Sequence, residues 1–260
     1  MVKNILAISA GHGDRISGAV GIIDEHNEAV KIVKRVAQIM GSDAVSFVEK
    51  NATTQNSNLS NIVKWHNAQN AQLNISVHFN SAAASANGTE TFYFASGKNK
   101  LSNRNAATKL NNAMVSALGT TNRGVKSGDH LYVIRNTHNR MLLLEVCFVG
   151  NTGDVKRYKE NFEKLCQNIA HAAYQILGKA QETFKTKKGY IVTKEPLNVY
   201  NGPRWDNPTR TTKKGSHHKV VGVQMVEGFP MYKTDHGNYL SAHENYSTFY
   251  TNEQYKNVCK

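Results

Sequence analysis

The stretch KNILAISAGHG, residues 3–13, sets the pattern for most of the chain. Its apolar residues run up to Gly11-His12-Gly13, which is typical of a buried strand that ends in a tight loop. Similar segments recur, and we predict further strands at residues 44–50, 73–81, 88–96, 130–137 and 140–151. The polar residues at the ends of these strands are therefore the first candidates for function.

Segments with helical spacing of apolar residues lie between the predicted strands. Residues 25–40 place apolar side chains three and four positions apart and are followed by Gly41, a helix stop signal. Further helices are predicted at 59–71, with Asn58 or Ser60 as the N-cap, at 103–119, and as one long helix at 154–178. Strands that alternate with helices predict an α/β domain with a mostly parallel, twisted sheet flanked by helices.

The pattern changes after Leu177. Residues 179–188 are polar and predict a linker. The remainder contains short strand-like pieces, separated by turn signals such as Asn201-Gly202-Pro203, and shows no helical period. The expected organisation is an α/β domain over residues 1–178, a linker over 179–188, and a small all-β barrel or sandwich over 189–260.

The chain of 260 residues has a formal net charge of +13, shared between its two parts. Such a surplus attracts polyanions, and nucleic acid and acidic cell-wall polymers are both candidates. The basic residues form no long run and no nucleic-acid motif is found, so nucleic acid is not the expected partner.

The chain contains no apolar run of about 18 residues, so no membrane span is predicted. No secretory signal pattern is present, and the odd count of three cysteines fits free thiols, so synthesis in the cytoplasm is expected.

Four polar residues can converge at one edge of the predicted sheet. His12 and His78 follow buried strands, Glu145 lies inside the apolar run LLLEVCFV, and Glu25 begins the first helix. The carboxyl ends of parallel strands share one edge, where ligand sites form. Two imidazoles and one carboxylate are a ligand set of catalytic zinc, and a further carboxylate is then needed to move protons. Glu145 suits that second role, since a buried carboxylate needs a partner such as a nearby metal.

The first domain resembles the zinc-dependent N-acetylmuramoyl-L-alanine amidases of the amidase-3 class. The resemblance spans about 175 residues and rests on several motifs in order. These are the strand followed by Gly-His-Gly, then GAVG at 18–21, EHNEAVKIV from Glu25, SVHFN at 76–80, GTETFY at 88–93, and a late stretch ending in LLLEVCFVGN.

This resemblance implies that His12, Glu25 and His78 bind Zn²⁺ and that Glu145 is the catalytic acid and base. Glu28 stays open as a rival of Glu25, because the two share roughly one helix face. The loop DRISGAV after His12 is shorter than the commonest family form, which leaves its contacts open. Asn80 and His130 are candidate substrate contacts.

The resemblance further implies hydrolysis of the amide between N-acetylmuramic acid and the L-alanine of the stem peptide in a Gram-positive wall. Residues 188–203 and the closing GNYLSAHENYS resemble bacterial SH3-type wall-binding domains, so the tail is expected to bind a wall peptide or polymer, without insertion into a membrane. A phage endolysin is the favoured setting, and a bacterial or prophage autolysin is the alternative. A zinc endopeptidase of the stem peptide and a non-enzymatic polyanion-binding protein stay open as alternative functions.

Overall fold

The structure is a computed structural model that describes residues 2–16, 18–179, 188–205, 207–226, 229–242 and 246–258. The chain divides into two compact units, Met1–Gly178 and Lys179–Lys260. The predicted linker falls almost wholly on residues 180–187, outside the described ranges, and so does Cys259. Cys147 and Cys166 are buried free thiols.

The first unit is built on a six-stranded sheet. Its strands are β1 (Lys3–Ala10), β2 (Ala44–Phe47), β3 (Ala71–Asn80), β4 (Thr89–Tyr93), β5 (Asn122–Ser127) and β6 (Arg140–Phe148). They lie in the order β2-β1-β3-β6-β4-β5. Every neighbouring pair is parallel except β4 with β6, which is antiparallel. The expected mostly parallel sheet is thereby confirmed.

Helices cover both faces of this sheet. They are α1 (Glu25–Met40), α2 (Gln55–Gln69), α3 (Lys100–Leu118), α4 (Tyr132–Asn136), α5 (Thr152–Glu160) and α6 (Phe162–Ile176), with a short 3-10 helix at Gly41–Asp43. The main core joins α1, α3 and α6 to one face of the sheet, and a smaller core joins α2 and α4 to the other.

Alternation along β3 and β6 decides which side chains face which core. Ile75 and Val77 of β3 and Leu144 of β6 belong to the main core. Leu143 points to the opposite face and packs in the smaller core with α2 and α4. The same alternation directs His78 and Glu145 away from the main core. The alternation of side chains along the two strands therefore keeps these polar groups on the face opposite the main core.

Two of the predicted elements are wrong. Residues 130–137 were expected to form a strand, but Tyr132–Asn136 form helix α4, in which Val133 and Ile134 are buried in the smaller core. A short apolar run is compatible with both a helical and a strand period. A strand formed by residues 130–137 also could not pair with β6, because β3 and β4 already occupy both of its edges.

The expected long helix at 154–178 is divided at Asn161, whose side-chain amide donates to the Arg157 carbonyl at 2.9 Å. Helix α2 begins after Thr54, which forms a capping box with Ser57, rather than after Asn58 or Ser60. Strand β5 was not predicted.

The second unit is a seven-stranded antiparallel sheet followed by a short helix. Its strands are β7 (Gly189–Thr193), β8 (Asn198–Tyr200), β9 (Arg210–Thr211), β10 (His217–Val226), β11 (Phe229–Thr234), β12 (Tyr239–Ser241) and β13 (Ser247–Tyr250), and the helix is α7 (Asn252–Val258). The strand order is β13-β7-β10-β11-β12-β8-β9. The β character is confirmed, whereas α7 was not expected. Within the described ranges, no helix of either unit combines the length and apolarity that crossing a bilayer requires.

Candidate metal centre and active site

His12 and His78 meet at the carboxyl edge of the sheet, because β1 and β3 are parallel neighbours. The chain continues past β1 with the Gly11 amide donating to the Val77 carbonyl at 2.9 Å, and His12 follows directly. The His78 ring lies against Gly11 so closely that a Cβ there would stand 1.9 Å from Nε2. Glycine at position 11 is therefore required for the two imidazoles to approach each other.

Glu25 completes a cluster of three potential ligands. Its Oε1 lies 3.0 Å from Nδ1 of His78 and 3.4 Å from Nε2 of His12. One ligand atom from each of the three residues lies within 4.8 Å of the others. The two rings meet edge to face with centroids 5.1 Å apart. Residues far apart in the chain thus present two nitrogens and one oxygen to a common point.

The backbone around Glu25 holds its carboxylate in place. Oε2 accepts from the Ala19 amide at 2.8 Å, and Oε1 accepts from the Phe79 amide at 3.1 Å. Gly18 has a φ of +74°, and a Cβ there would lie 2.6 Å from Oε2 of Glu25. Burial alone would raise the pKa of Glu25, but hydrogen bonds and charges from His12 and His78 hold it well below its usual range.

His26, the second residue of α1, supports the loop that carries His12. Its Nδ1 lies 2.9 Å from the His12 carbonyl oxygen, and its Nε2 lies 3.1 Å from Oδ1 of Asp14. The sequence offered no sign of this role beyond its position next to Glu25. His26 therefore positions a candidate ligand without belonging to the cluster itself.

The donor set of this cluster fits a divalent metal of the zinc type. Zinc binds imidazole nitrogen and carboxylate oxygen at about 2.0–2.2 Å, so neighbouring ligand atoms around a tetrahedral ion stand about 3.4 Å apart. The separations of 3.0 and 3.4 Å from Glu25 match that spacing. The structure thus brings His12, Glu25 and His78 together in an arrangement that could hold a metal ion.

Glu28, the rival of Glu25, is directed elsewhere. Its carboxylate pairs with Lys31 at 2.7 Å and accepts from the Tyr158 hydroxyl at 2.8 Å. These contacts keep it outside the cluster of three. Of the two acids, the geometry favours Glu25 as the ligand.

Glu145 lies beside His78 on the neighbouring strand. The two are register partners across β3 and β6, so both side chains point to the same face. Oε2 of Glu145 is buried and has no hydrogen-bond partner within the described part of the chain. Burial, reinforced by the charges of Glu25 and Glu90, raises the pKa of Glu145 well above its usual range, and Lys126 opposes this shift. A carboxyl group beside the three potential metal ligands is placed to take up and release a proton during a reaction.

Glu90 is a site residue that the sequence reasoning missed. It is the register partner of Glu145 on the antiparallel strand β4, so His78, Glu145 and Glu90 form one row across three strands. Its Oε2 lies 2.6 Å from both Nε of Arg123 and Nζ of Lys126. Only its position within the quoted GTETFY motif could have pointed to it, because its pairing with Glu145 depends on the strand order.

The two predicted substrate contacts lie in different surroundings. The Asn80 side chain donates to Oε1 of Glu90 at 2.9 Å, so it belongs to the same polar row. His130 is exposed, and its ring centroid lies 6.4 Å from that of Phe92. The structure connects Asn80 to the site through Glu90 and shows no such link for His130 among the described residues.

Comparison with known proteins relates the two parts of the chain to different sequence families. A sequence profile of N-acetylmuramoyl-L-alanine amidases matches residues 6–176. Residues 184–246 match a domain of unknown function, DUF5776, so the resemblance of the tail to SH3-type domains stays a prediction.

Individual relatives extend the similarity. The chain is 34% identical over 151 residues to the uncharacterized protein YqiI of Bacillus subtilis, covering 58% of this chain and 72% of that protein. It is 26% identical over 272 residues to the endolysin of Bacillus phage SPP1, covering 95% and 98% of the two chains. Two longer relatives from Clostridium perfringens and Bacillus anthracis are spanned over only 47% and 31% of their lengths.

A solved structure shares the fold of the first unit. The catalytic domain of CwlV, an N-acetylmuramoyl-L-alanine amidase from Bacillus (Paenibacillus) polymyxa, superposes with a TM-score of 0.59 at 27% identity. The match covers 68% of this chain and 99% of that domain.

Proposed function

Because the chain belongs to the N-acetylmuramoyl-L-alanine amidase family, we propose that it is a zinc-dependent peptidoglycan hydrolase that cuts between N-acetylmuramic acid and L-alanine. The observation that carries the zinc proposal is the convergence of His12, Glu25 and His78, whose ligand atoms lie within 4.8 Å of one another. His12 and His78 would supply nitrogen ligands and Glu25 an oxygen ligand. A zinc ion in this cluster would polarise the amide carbonyl and acidify water.

Glu145 is the proposed acid and base of the reaction. Its unpaired buried oxygen lies in the same row as His78, on the face where the ligands meet. Glu145 accepts a proton from the attacking water as the new C–O bond forms at the lactyl carbonyl. It returns that proton to the L-alanine nitrogen as the C–N bond breaks. The products are the muramic carboxylic acid and a peptide with a free L-alanine amine.

Digestion of purified Gram-positive wall with and without EDTA tests this function. We expect digestion to stop with EDTA, to return when Zn²⁺ is added in excess, and to release peptides that begin with L-alanine. New amino termini on another residue would identify an endopeptidase, and new reducing sugars would identify a glycosidase. Unchanged walls under all conditions would favour a protein that only binds polyanions.

For the second unit, residues 189–260, we propose wall binding, with residues 179–188 as the linker. The support is the basic surplus of the chain, +13 overall, and its similarity along 95% of its length to a phage endolysin. On this basis the protein acts on the wall as an endolysin, with an autolysin as the alternative.

A catalytically silent Glu145→Gln chain, incubated with intact walls and with walls stripped of acidic polymers, tests the wall-binding proposal. Retention by both kinds of wall would indicate a peptidoglycan ligand, and retention by intact walls alone an acidic polymer. No retention by either would contradict wall binding.

A further inference from the structure

The polar row at the site ends in a pair of cations that the proposed reaction does not use. Arg123 and Lys126 both place a nitrogen 2.6 Å from Oε2 of Glu90. Glu90 is 3% exposed, whereas the side chain of Lys126 is 41% exposed. Two cations on one buried carboxylate leave a surplus positive charge beside Glu145.

The two cations are held to different degrees. The Arg123 guanidinium also donates to the Asn87 carbonyl at 3.3 Å and lies 5.0 Å over the Phe148 ring. The Lys126 side chain has Glu90 as its single hydrogen-bond partner among the residues that the structure describes. An ammonium group offers three donors, so Lys126 has donors left for a second acceptor. Arg123 therefore secures Glu90, and Lys126 is the cation with capacity for a ligand.

The atom to which Glu145 gives its proton decides which part of the substrate would lie near Lys126. Glu145 gives its proton to the leaving nitrogen, so the amine side of the scissile bond faces Glu145. A peptide that continues from that amine on the side opposite His78 would run towards β4 and β5. Neighbouring strands are about 4.8 Å apart and a peptide residue spans about 3.5 Å, so β5 lies within reach of the residue after L-alanine.

We propose that Lys126 is a specificity-determining residue that binds a carboxylate of the stem peptide on the residue after L-alanine. This inference rests on the proposed amide cleavage and names a feature of its substrate. The substrate carboxylate would balance the surplus charge of the Arg123–Glu90–Lys126 group. It would form a charge-assisted hydrogen bond, one of the stronger kinds of hydrogen bond in proteins, with the ammonium group of this partly exposed side chain.

The test uses two N-acetylmuramoyl dipeptides in which L-alanine is followed by a glutamate whose γ-carboxyl is amidated in both, and whose α-carboxyl is free in one and amidated in the other. In the zinc-loaded full chain, Lys126→Met should lower kcat/KM for the free acid about tenfold, mainly through KM, which corresponds to about 1.4 kcal/mol. The same substitution should leave the amide substrate within about twofold of the wild-type value. Lys126→Arg should restore most of the preference, because it keeps the charge.

Lys31→Met is the matched control, since Lys31 also pairs with a carboxylate, Glu28, at 2.7 Å. It should change neither substrate. Zinc content of Lys126→Met should match the wild type and its thermal unfolding should change only slightly, because Arg123 and Asn80 still bind Glu90.

Equal losses on both substrates would overturn the proposal, since Lys126 would then act on the reaction or the fold. No loss on either would also overturn it. A wild-type enzyme that cut neither dipeptide nor wall would instead overturn the proposed function, and this inference with it.

Discussion

Two buried carboxylates flank Glu145, and they are balanced in different ways. Glu25 is surrounded by the imidazoles of His12 and His78, whereas Glu90 is bound by the permanent cations Arg123 and Lys126. In both cases burial raises the carboxyl pKa, but the partners lower it further than burial raises it. The partners differ in what else they can do, because a neutral imidazole binds metal and a guanidinium or ammonium group does not. One side of Glu145 is therefore suited to chemistry and the other to structure and recognition.

The strongest test of this contrast removes a proposed ligand from the imidazole side. We expect His78→Ala to lose bound zinc and to reduce amidase activity by more than about 10³-fold, because the carbonyl is then no longer polarised and Glu145 has no acidified water to deprotonate. Elemental analysis of the purified chain, paired with a wall-digestion assay, measures both effects. A variant that kept stoichiometric zinc and full activity would contradict the ligand assignment.

Glu145→Gln separates proton transfer from metal binding. The amide has nearly the same shape but cannot exchange the proton, so kcat should fall about 10²–10⁴-fold while zinc content stays unchanged. Single-turnover kinetics on an N-acetylmuramoyl peptide, with elemental analysis of the same sample, provides the measurement. Full activity in this variant would remove Glu145 from the mechanism.

Gly11→Ala tests how closely the imidazole side is packed. The new Cβ would meet the His78 ring at 1.9 Å, so the ring must move, and we expect zinc affinity to fall about 10–100-fold. Gly150→Ala is the control, because nothing lies within 4 Å of its added Cβ. Competition with a zinc chelator measures the affinity of both variants, and equal affinities would show that the site adapts.

The smallest effect is expected on the side of permanent cations. Glu90→Gln should keep zinc and lower the free energy of unfolding by about 1–2 kcal/mol near neutral pH, since Arg123 and Lys126 remain partly hydrated. The folded pKa of Glu90 lies below its ordinary value of 4.5, so its contribution is present above that pH and is lost as the pH falls towards the lowered pKa.

The stability difference between the two proteins should therefore shrink below about pH 4.5, as followed by urea unfolding of the zinc-free forms. A difference that stayed constant with pH would mean that the carboxylate charge of Glu90 does not stabilise the fold.

Local sequence patterns were sufficient for the elements with one clear period. Strand β1 and helix α1 have the predicted bounds, Lys3–Ala10 and Glu25–Met40. The segment around Val133 and Ile134 was misjudged because five residues cannot distinguish a helical period from a strand period. The division at Asn161 was missed because neither glycine nor proline marks it.

The position of polar residues at strand ends predicted only part of the site. His12 and His78 could be expected to meet, because the carboxyl ends of parallel strands lie along one edge of the sheet. The choice between Glu25 and Glu28 could not be made from helix spacing. It depends on tertiary contacts that direct Glu28 to Tyr158 and Lys31.

The amino-acid sequence by itself indicated the α/β class, the β-rich tail and the candidate residues His12, His78, Glu145 and, with Glu28 as a rival, Glu25, because periodicity and polar residues in or after apolar runs are local features. Only the tertiary structure decided that β4 pairs antiparallel with β6, and with it the placement of Glu90, Arg123 and Lys126 beside Glu145. The physical reason is that strand register is set by the packing of the whole sheet, which joins residues that no local pattern relates.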